Sequence, residues 1–215
     1  MACKDEGEVK DLLEKLERKE LTKNEVLDEM KKRGLYHHAD EPFPGMFAIS
    51  GMAAWGVLCF LPVISEVLHL SIAEIPSVEI PLEMVYLAFL FAVALTPPLL
   101  YSSILREKRS ITGDENIVLV RLGAYGIVRH PTFLAGLILC VALPIILNRF
   151  ALRIPFTILS VFGEIAIFMG LYLQTQHEEK INVKKWGDEY RQYMKEVPRF
   201  NFFLGMWRWA KARAP

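Results

Sequence analysis

Predominantly apolar residues fill four segments of the chain, at about residues 46–69, 83–105, 132–148 and 154–175. Each segment approaches or exceeds the ~17–25 residues that an α-helix needs to span a bilayer. The last two segments are joined only by the short stretch NRFALR, so we expect them to form a tight helical hairpin. The pattern therefore predicts an all-α membrane helix bundle with about four transmembrane helices.

A polar region precedes the first apolar segment, and within it residues 6–33 show the spacing of two short amphipathic helices. The second helix should begin after Thr22, because Thr22 followed by Glu25 is a capping-box signature. Gly34 is a suitable residue to end it. We expect a small soluble helical hairpin here, suited to contact a protein partner or a second copy of the chain rather than to catalysis.

The apolar pattern and its polar flanks divide the chain into three predicted parts. Residues 1–44 form the soluble hairpin and a linker, residues 45–105 carry the first two membrane helices, and residues 106–215 carry the helical hairpin and a polar C-terminal tail.

Charge is balanced overall, with 25 basic and 25 acidic residues, so no basic field indicates nucleic-acid binding. The basic residues are unevenly distributed. Nine lie in the N-terminal region, five in residues 106–131 and nine in the C-terminal tail, against none in residues 70–82 and two in residues 149–153. Because basic loops stay on the cytoplasmic side, we expect an integral membrane protein with both termini and residues 106–131 in the cytoplasm.

Inside the apolar region, few residues offer chemistry. Cys3, Cys59 and Cys140 are far apart and form no Cys/His cluster, so neither a disulfide framework nor a metal site is expected. Glu164 lies within the fourth segment, where a carboxylate is costly and should face a protein or water-filled interior. Its role stays open between a structural hydrogen bond and contact with a substrate or cofactor.

Two polar patches border the predicted helical hairpin. The first, IVLVRLGAYGIVRHPTF at residues 117–133, places Arg129 and His130 before Pro131, which suits the first position of a helix. The second, at residues 177–200, begins with the pair Glu178 and Glu179. Taken singly, these are a basic membrane anchor and a solvated helix start. Taken together, a donor-rich helix start facing two carboxylates would suit a ligand that carries both an amine and a carboxylate.

The order and spacing of these patches resemble the isoprenylcysteine carboxyl methyltransferase and phospholipid methyltransferase superfamily of integral membrane enzymes. The similarity covers about residues 105–200 and leaves the N-terminal hairpin outside. The matching residues are Leu119-Val120, Gly123-Ala124-Tyr125, Arg129 through Phe133, Glu178-Glu179, Trp186-Gly187 with Tyr190, Tyr193, and Val197-Pro198-Arg199.

The resemblance implies that the chain binds S-adenosylmethionine in a cytoplasmic pocket and methylates a lipid or isoprenyl-type substrate that approaches from the bilayer. Because this cofactor is already activated, catalysis would rest on positioning, for which His130, Arg129 and Glu164 are candidates. The cofactor-binding residues that the resemblance implies are Ile117, Val118, Leu119, Val120, Tyr125, His130, Pro131, Thr132, Phe133, Glu178 and Glu179.

Two positions depart from the family pattern. Phe133 replaces a tyrosine, which removes a hydroxyl group but keeps the ring. Gln174, the implied substrate-binding residue, replaces an arginine that would clamp a substrate carboxylate through a charged pair. A phospholipid amine or another lipid group is therefore at least as compatible with this sequence as a prenylcysteine carboxylate, unless Lys180, Arg191 or Arg199 supplies the charge.

Two other functions are compatible with parts of the sequence. Membrane sterol reductases, which use NADPH, share a similar Arg-His-Pro helix start, and KKWGDEY fits their pattern loosely. A non-enzymatic membrane protein could also keep the fold and work through the N-terminal hairpin. The Glu178-Glu179 pair and the stretch VPRF favour the methyltransferase.

Overall fold

The computed structural model describes residues 8, 11–12, 14–16, 18–34, 45–69, 75–109, 119, 121, 123–149 and 155–213, with the backbone alone at 23, 66, 103–109, 149 and 212–213. Residues 8, 11–12 and 14–16 are helical. The named helices that follow are α1 (Lys23–Lys32), α2 (Met46–Val67), α3 (Leu82–Arg109), α4 (Pro131–Arg149), α5 (Ile158–Glu196) and α6 (Phe202–Arg213), with a 3-10 turn at Gly123–Gly126 between α3 and α4.

The prediction of an all-α membrane bundle is confirmed. In the part of the chain described here, extended pairing is limited to an isolated bridge between Ser77 and Thr157. The four helices α2, α3, α4 and α5 are each long and apolar enough to cross a membrane.

Helix α5 differs from its prediction because it does not end with the apolar segment near residue 175. It continues through the polar residues of the second patch to Glu196, and only Gly187 within it departs from helical geometry, with φ 55° and ψ −126°. Glutamate and lysine are good helix formers, so the loss of apolar character marks the end of the membrane segment and not the end of the helix.

The chain divides into two compact units. The tail unit comprises Met1–Glu41, Tyr101–Arg129 and Lys180–Pro215, and the span unit comprises Pro42–Leu100 and His130–Glu179. In the second half of the chain, the two boundaries between these units fall inside the polar patches, directly after Arg129 and directly after Glu179.

Apolar side chains of three helices form the core of the span unit. Trp55 and Cys59 of α2, Cys140 of α4, and Ile167 and Leu171 of α5 make one buried cluster. Glycines let α2 and α5 approach closely, since a Cβ atom on Gly51 would lie 2.9 Å from the Cα atom of Gly170. Small residues at such crossings are typical of packed membrane helices.

The tail unit contains the N-terminal hairpin, whose predicted features are present. Leu12, Val26 and Met30 form its buried core. At the start of α1 the backbone N–H of Thr22 donates to the carboxylate of Glu25 (2.7 Å), and the backbone N–H of Glu25 donates to the Thr22 hydroxyl (3.4 Å), which completes the capping box. Gly34 follows the helix with a positive φ of 69°.

Candidate functional site

His130 lies directly before α4, with a carboxylate of α5 next to each of its ring nitrogens. Its Nδ1 atom is 3.4 Å from Oε2 of Glu178, and its Nε2 atom is 3.4 Å from Oε1 of Glu179. His130 and Glu179 are buried, with 8% and 3% of their surfaces exposed, whereas the side chain of Glu178 is 30% exposed. We call these three residues the histidine–glutamate cluster.

The local sequence explains why these groups meet. Pro131 begins α4 as the first helical residue, which leaves His130 just outside the helix. Glu178 and Glu179 are consecutive residues of α5, so their side chains diverge by about 100° around the helix axis and can lie on two sides of one ring.

The surroundings of His130 favour its protonated form. Burial disfavours the imidazolium, but hydrogen bonding to Glu178 and Glu179 and their negative charges outweigh it, so the pKa of His130 is raised above its ordinary value. An imidazolium has an N–H group on each ring nitrogen, and only this form can donate to both carboxylates. With His130 protonated, the three residues together carry one net negative charge.

Two further side chains hold the cluster. The amide nitrogen Nε2 of Gln174, one turn earlier on α5, donates to Oε1 of Glu178 at 3.2 Å. Gln174 is buried, with 1% of its surface exposed. The ring of Phe133 stacks against that of His130, with 5.8 Å between centroids and 15° between planes. The two residues that depart from the family pattern therefore both contact this cluster.

Within the tail unit, the residues before His130 are bonded to the end of α5 and the segment after it. The guanidinium of Arg129 donates to the carbonyl of Met194 at 2.7 Å, and its backbone N–H donates to the carbonyl of Pro198 at 3.0 Å. The hydroxyl of Tyr193 donates to the carbonyl of Tyr125 at 2.7 Å. Arg129 was predicted as a positioning residue, and in this structure its hydrogen bonds hold the end of α5 and the segment that follows it.

The other residues that were predicted for the cofactor site differ in burial, and some lie outside the described part of the chain. Tyr125 and Pro131 are buried and Thr132 is exposed. Leu119 packs against the cluster of Tyr190, Tyr193 and Val197. Ile117, Val118 and Val120 lie outside the described residues.

Glu164 is separated from the histidine–glutamate cluster. It precedes Glu178 by 14 residues, which is about 21 Å along α5. Its carboxyl oxygens are buried, and so is the indole N–H of its neighbour Trp55. The prediction that Glu164 faces the protein interior is consistent with this position, and its proposed role in positioning stays a prediction.

Sequence reasoning missed several contacts of the site. Arg121 donates to both the carbonyl and the carboxylate of Glu189, at 3.2 Å each, and joins the two patches within the tail unit. Both side chains are partly exposed and 68 residues apart, so no local pattern marks the pair. The left-handed Gly187 had a visible signal, since glycine inside a polar helical stretch often marks an unusual backbone conformation.

A cluster with one net negative charge and a partly exposed carboxylate can accept hydrogen bonds from hydroxyl or ammonium groups of a ligand, while both ring nitrogens of His130 face the two glutamates. Among the described residues, no group of three or more His, Cys, Asp or Glu side chains has the arrangement of a metal site. Comparisons of the chain with family models, curated proteins and solved structures find no match.

Proposed function

We propose that this chain is an integral membrane methyltransferase that transfers the methyl group of S-adenosylmethionine to a lipid or isoprenyl-type substrate. The observation that carries the proposal is the histidine–glutamate cluster. His130 of the Arg-His-Pro motif and Glu178 of the Glu-Glu motif are 48 positions apart in sequence, and His130 lies against both glutamates.

The residues of the cluster suit the polar groups of this cofactor. S-adenosylmethionine supplies an activated methyl group, and it carries a sulfonium, an ammonium and ribose hydroxyls. The partly exposed carboxylate of Glu178 would accept from a ribose hydroxyl or the ammonium. His130 and Gln174 hold that carboxylate in place from two directions, so its orientation is set before a ligand binds.

The contact between Gln174 and Glu178 also bears on which chemical group of a substrate could bind at this position. Gln174 is buried and its amide donates to Glu178, so this position offers no positive charge to a substrate carboxylate. We therefore include lipid amines among the proposed acceptors. The reaction would take place at the cytoplasmic face, with both termini in the cytoplasm.

Cofactor binding tests the proposal directly. Purified full-length protein in lipid nanodiscs is titrated with S-adenosylhomocysteine by calorimetry. Glu178→Gln keeps the size of the side chain and removes its charge, so we expect affinity to fall about tenfold or more. Glu79→Gln, the same change on an exposed residue of the loop before α3, is the matched control and should bind as the unchanged protein does.

The substrate is identified by transfer of labelled methyl from S-adenosylmethionine into a membrane lipid extract, followed by analysis of the labelled product. An N-methylated phospholipid would assign the amine class, and a methyl ester would assign the carboxylate class. The proposal is wrong if the unchanged protein has no affinity for S-adenosylhomocysteine, or if it binds NADPH saturably instead.

A further inference from the structure

Helix α6 (Phe202–Arg213) has two unlike faces within the tail unit. On one face a Cβ atom at Gly205 would overlap the carbonyl oxygen of Ile127, and Trp209 lies beside Gly126. This face packs closely on the turn that precedes α4. On the opposite face Phe203, Met206 and Trp207 are exposed, with 73%, 37% and 61% of their surfaces accessible.

The spacing of the exposed face is that of one helical stripe. Phe203, Met206 and Trp207 stand at positions i, i+3 and i+4, and the exposed Ala210 extends the same stripe by one turn. An exposed apolar stripe opposite a packed face needs a partner, because leaving large side chains such as Phe and Trp in water is unfavourable.

The charge near this stripe indicates what the partner is. Residues 197–215 include four basic residues, Arg199, Arg208, Lys211 and Arg213, and no acidic residue. The ammonium of Lys211 lies 5.5 Å from the ring centre of Trp207, at the border of the stripe. Basic residues beside tryptophan and phenylalanine are typical of helices that lie in a membrane interface and bind anionic lipid headgroups.

The chain itself keeps this helix near a membrane segment. Gly205 packs on Ile127, and Ile127 is four residues before Pro131, where the apolar span of α4 begins. Four residues reach at most about 14 Å when fully extended. A bilayer that holds α4 is therefore within reach of α6.

We propose that α6 is an interfacial membrane helix, which inserts Phe203, Met206 and Trp207 into the headgroup boundary of a bilayer leaflet that contains anionic lipid. The proposal does not depend on the chemistry at His130. It gives the protein a second attachment to the membrane besides the four spans, and it anchors the tail segment whose carbonyls bind Arg129.

The test places a fluorescent probe on the stripe of the full-length protein. In a Cys3→Ser background, Ala210→Cys is labelled with an environment-sensitive fluorophore and reconstituted into nanodiscs that hold one copy of the protein in mixed phosphatidylcholine and phosphatidylglycerol. Lipids with a nitroxide near the headgroup or near the chain end serve as quenchers. Asp28→Cys, an exposed position on the N-terminal hairpin, is labelled identically as the control.

We expect the probe at position 210 to be blue-shifted relative to the control and quenched more strongly by the shallow nitroxide than by the deep one. Phosphatidylcholine alone should reduce this quenching, and so should Phe203→Ser combined with Trp207→Ser. Quenching at position 210 no stronger than at position 28 would overturn the proposal. A shift that appears only when two copies share a disc would assign the stripe to self-association instead, and equal quenching without anionic lipid would refute the role of charge.

Discussion

The protonation of His130 determines the charge of the candidate site. Both ring nitrogens face carboxylates, and a neutral imidazole has only one N–H to donate. Loss of the proton would leave Glu178 and Glu179 as neighbouring negative charges with one donor fewer between them.

This arrangement predicts a pH dependence with a definite sign. Because the folded pKa of His130 is raised above the unfolded value of about 6.5, protonated His130 stabilises the fold fully below that pH, and the stabilisation is lost as pH rises through the folded pKa. Titration of ¹³C-labelled histidine by NMR should show one ring with a raised pKa, absent in His130→Gln. In Glu178→Gln that pKa should fall, so the loss of thermal stability above about pH 6.5 should be smaller and should be complete at a lower pH.

Asp28→Asn, on the N-terminal hairpin, is the control and should leave the His130 titration unchanged. If the pKa of His130 is the same in Glu178→Gln, in Glu179→Gln and in the unchanged protein, the carboxylates are not the cause of its raised value.

At the scale of single elements, Gly187 divides the long helix α5. Its φ of 55° with ψ of −126° is a conformation that L-residues with a side chain avoid, although a Cβ atom there would meet open space. Gly187→Ala should therefore destabilise the protein by about 1–3 kcal/mol through backbone strain alone. Thermal unfolding in detergent measures this. Gly136→Ala in α4, where φ is ordinary and space is open, should be neutral or stabilising.

A substitution at Gly205 tests a steric contact of a single helix, whereas the substitution at Gly187 tests backbone strain. Here φ is ordinary, and the obstacle is the carbonyl of Ile127. Gly205→Ala should push α6 away from the turn before α4 and expose the peptide bonds after Arg208 and Lys211 to trypsin. We expect faster cleavage there than in Gly136→Ala, with cleavage of the N-terminal hairpin unchanged. Equal cleavage rates in the two variants would show that α6 does not depend on this contact.

Elements with a local sequence signal were predicted correctly. Apolar runs located α2, α3, α4 and the first half of α5, and the Thr22–Glu25 spacing located the start of α1. The second half of α5 was not predicted, because apolar character reports membrane contact and this part of the helix is polar. A glycine in a polar helical stretch did not have one meaning here. Gly34 was expected to end a helix and does follow α1, whereas Gly187, which also has a positive φ, lies within α5.

The candidate site was only partly predictable. The motifs identified His130, Glu178 and Glu179, but their mutual geometry depends on tertiary packing between α4 and α5. The contact of Gln174 with Glu178 follows helical i, i+4 spacing and was available in principle. The bonds of Arg129 to Met194 and of Arg121 to Glu189 join residues more than 60 positions apart, and no periodicity marks them.

For the whole molecule, the number of crossings determines where the termini lie. The described residues contain four helices that are long and apolar enough to cross a membrane. If these four cross and no other segment does, the number of crossings is even, and we expect the N-terminal hairpin and the tail on one side of the bilayer and the loop between α2 and α3 on the other. The distribution of basic residues assigns the shared side to the cytoplasm. This assignment is a prediction that concerns topology alone and holds whether or not the protein binds a cofactor.

Thiol labelling in intact cells tests the topology with three exposed positions. In the Cys3→Ser background, Asp28→Cys, Glu79→Cys and Asp188→Cys are treated with a membrane-impermeant maleimide; the other native cysteines, Cys59 and Cys140, are buried. We expect Glu79→Cys to react in intact cells, and the other two only after permeabilisation, because of these three positions only Glu79 lies in a loop that is predicted to be outside. Reaction of all three before permeabilisation would indicate damaged cells. If Asp28→Cys and Asp188→Cys react from opposite sides, the number of crossings is odd, and one of the four apolar helices does not span the membrane.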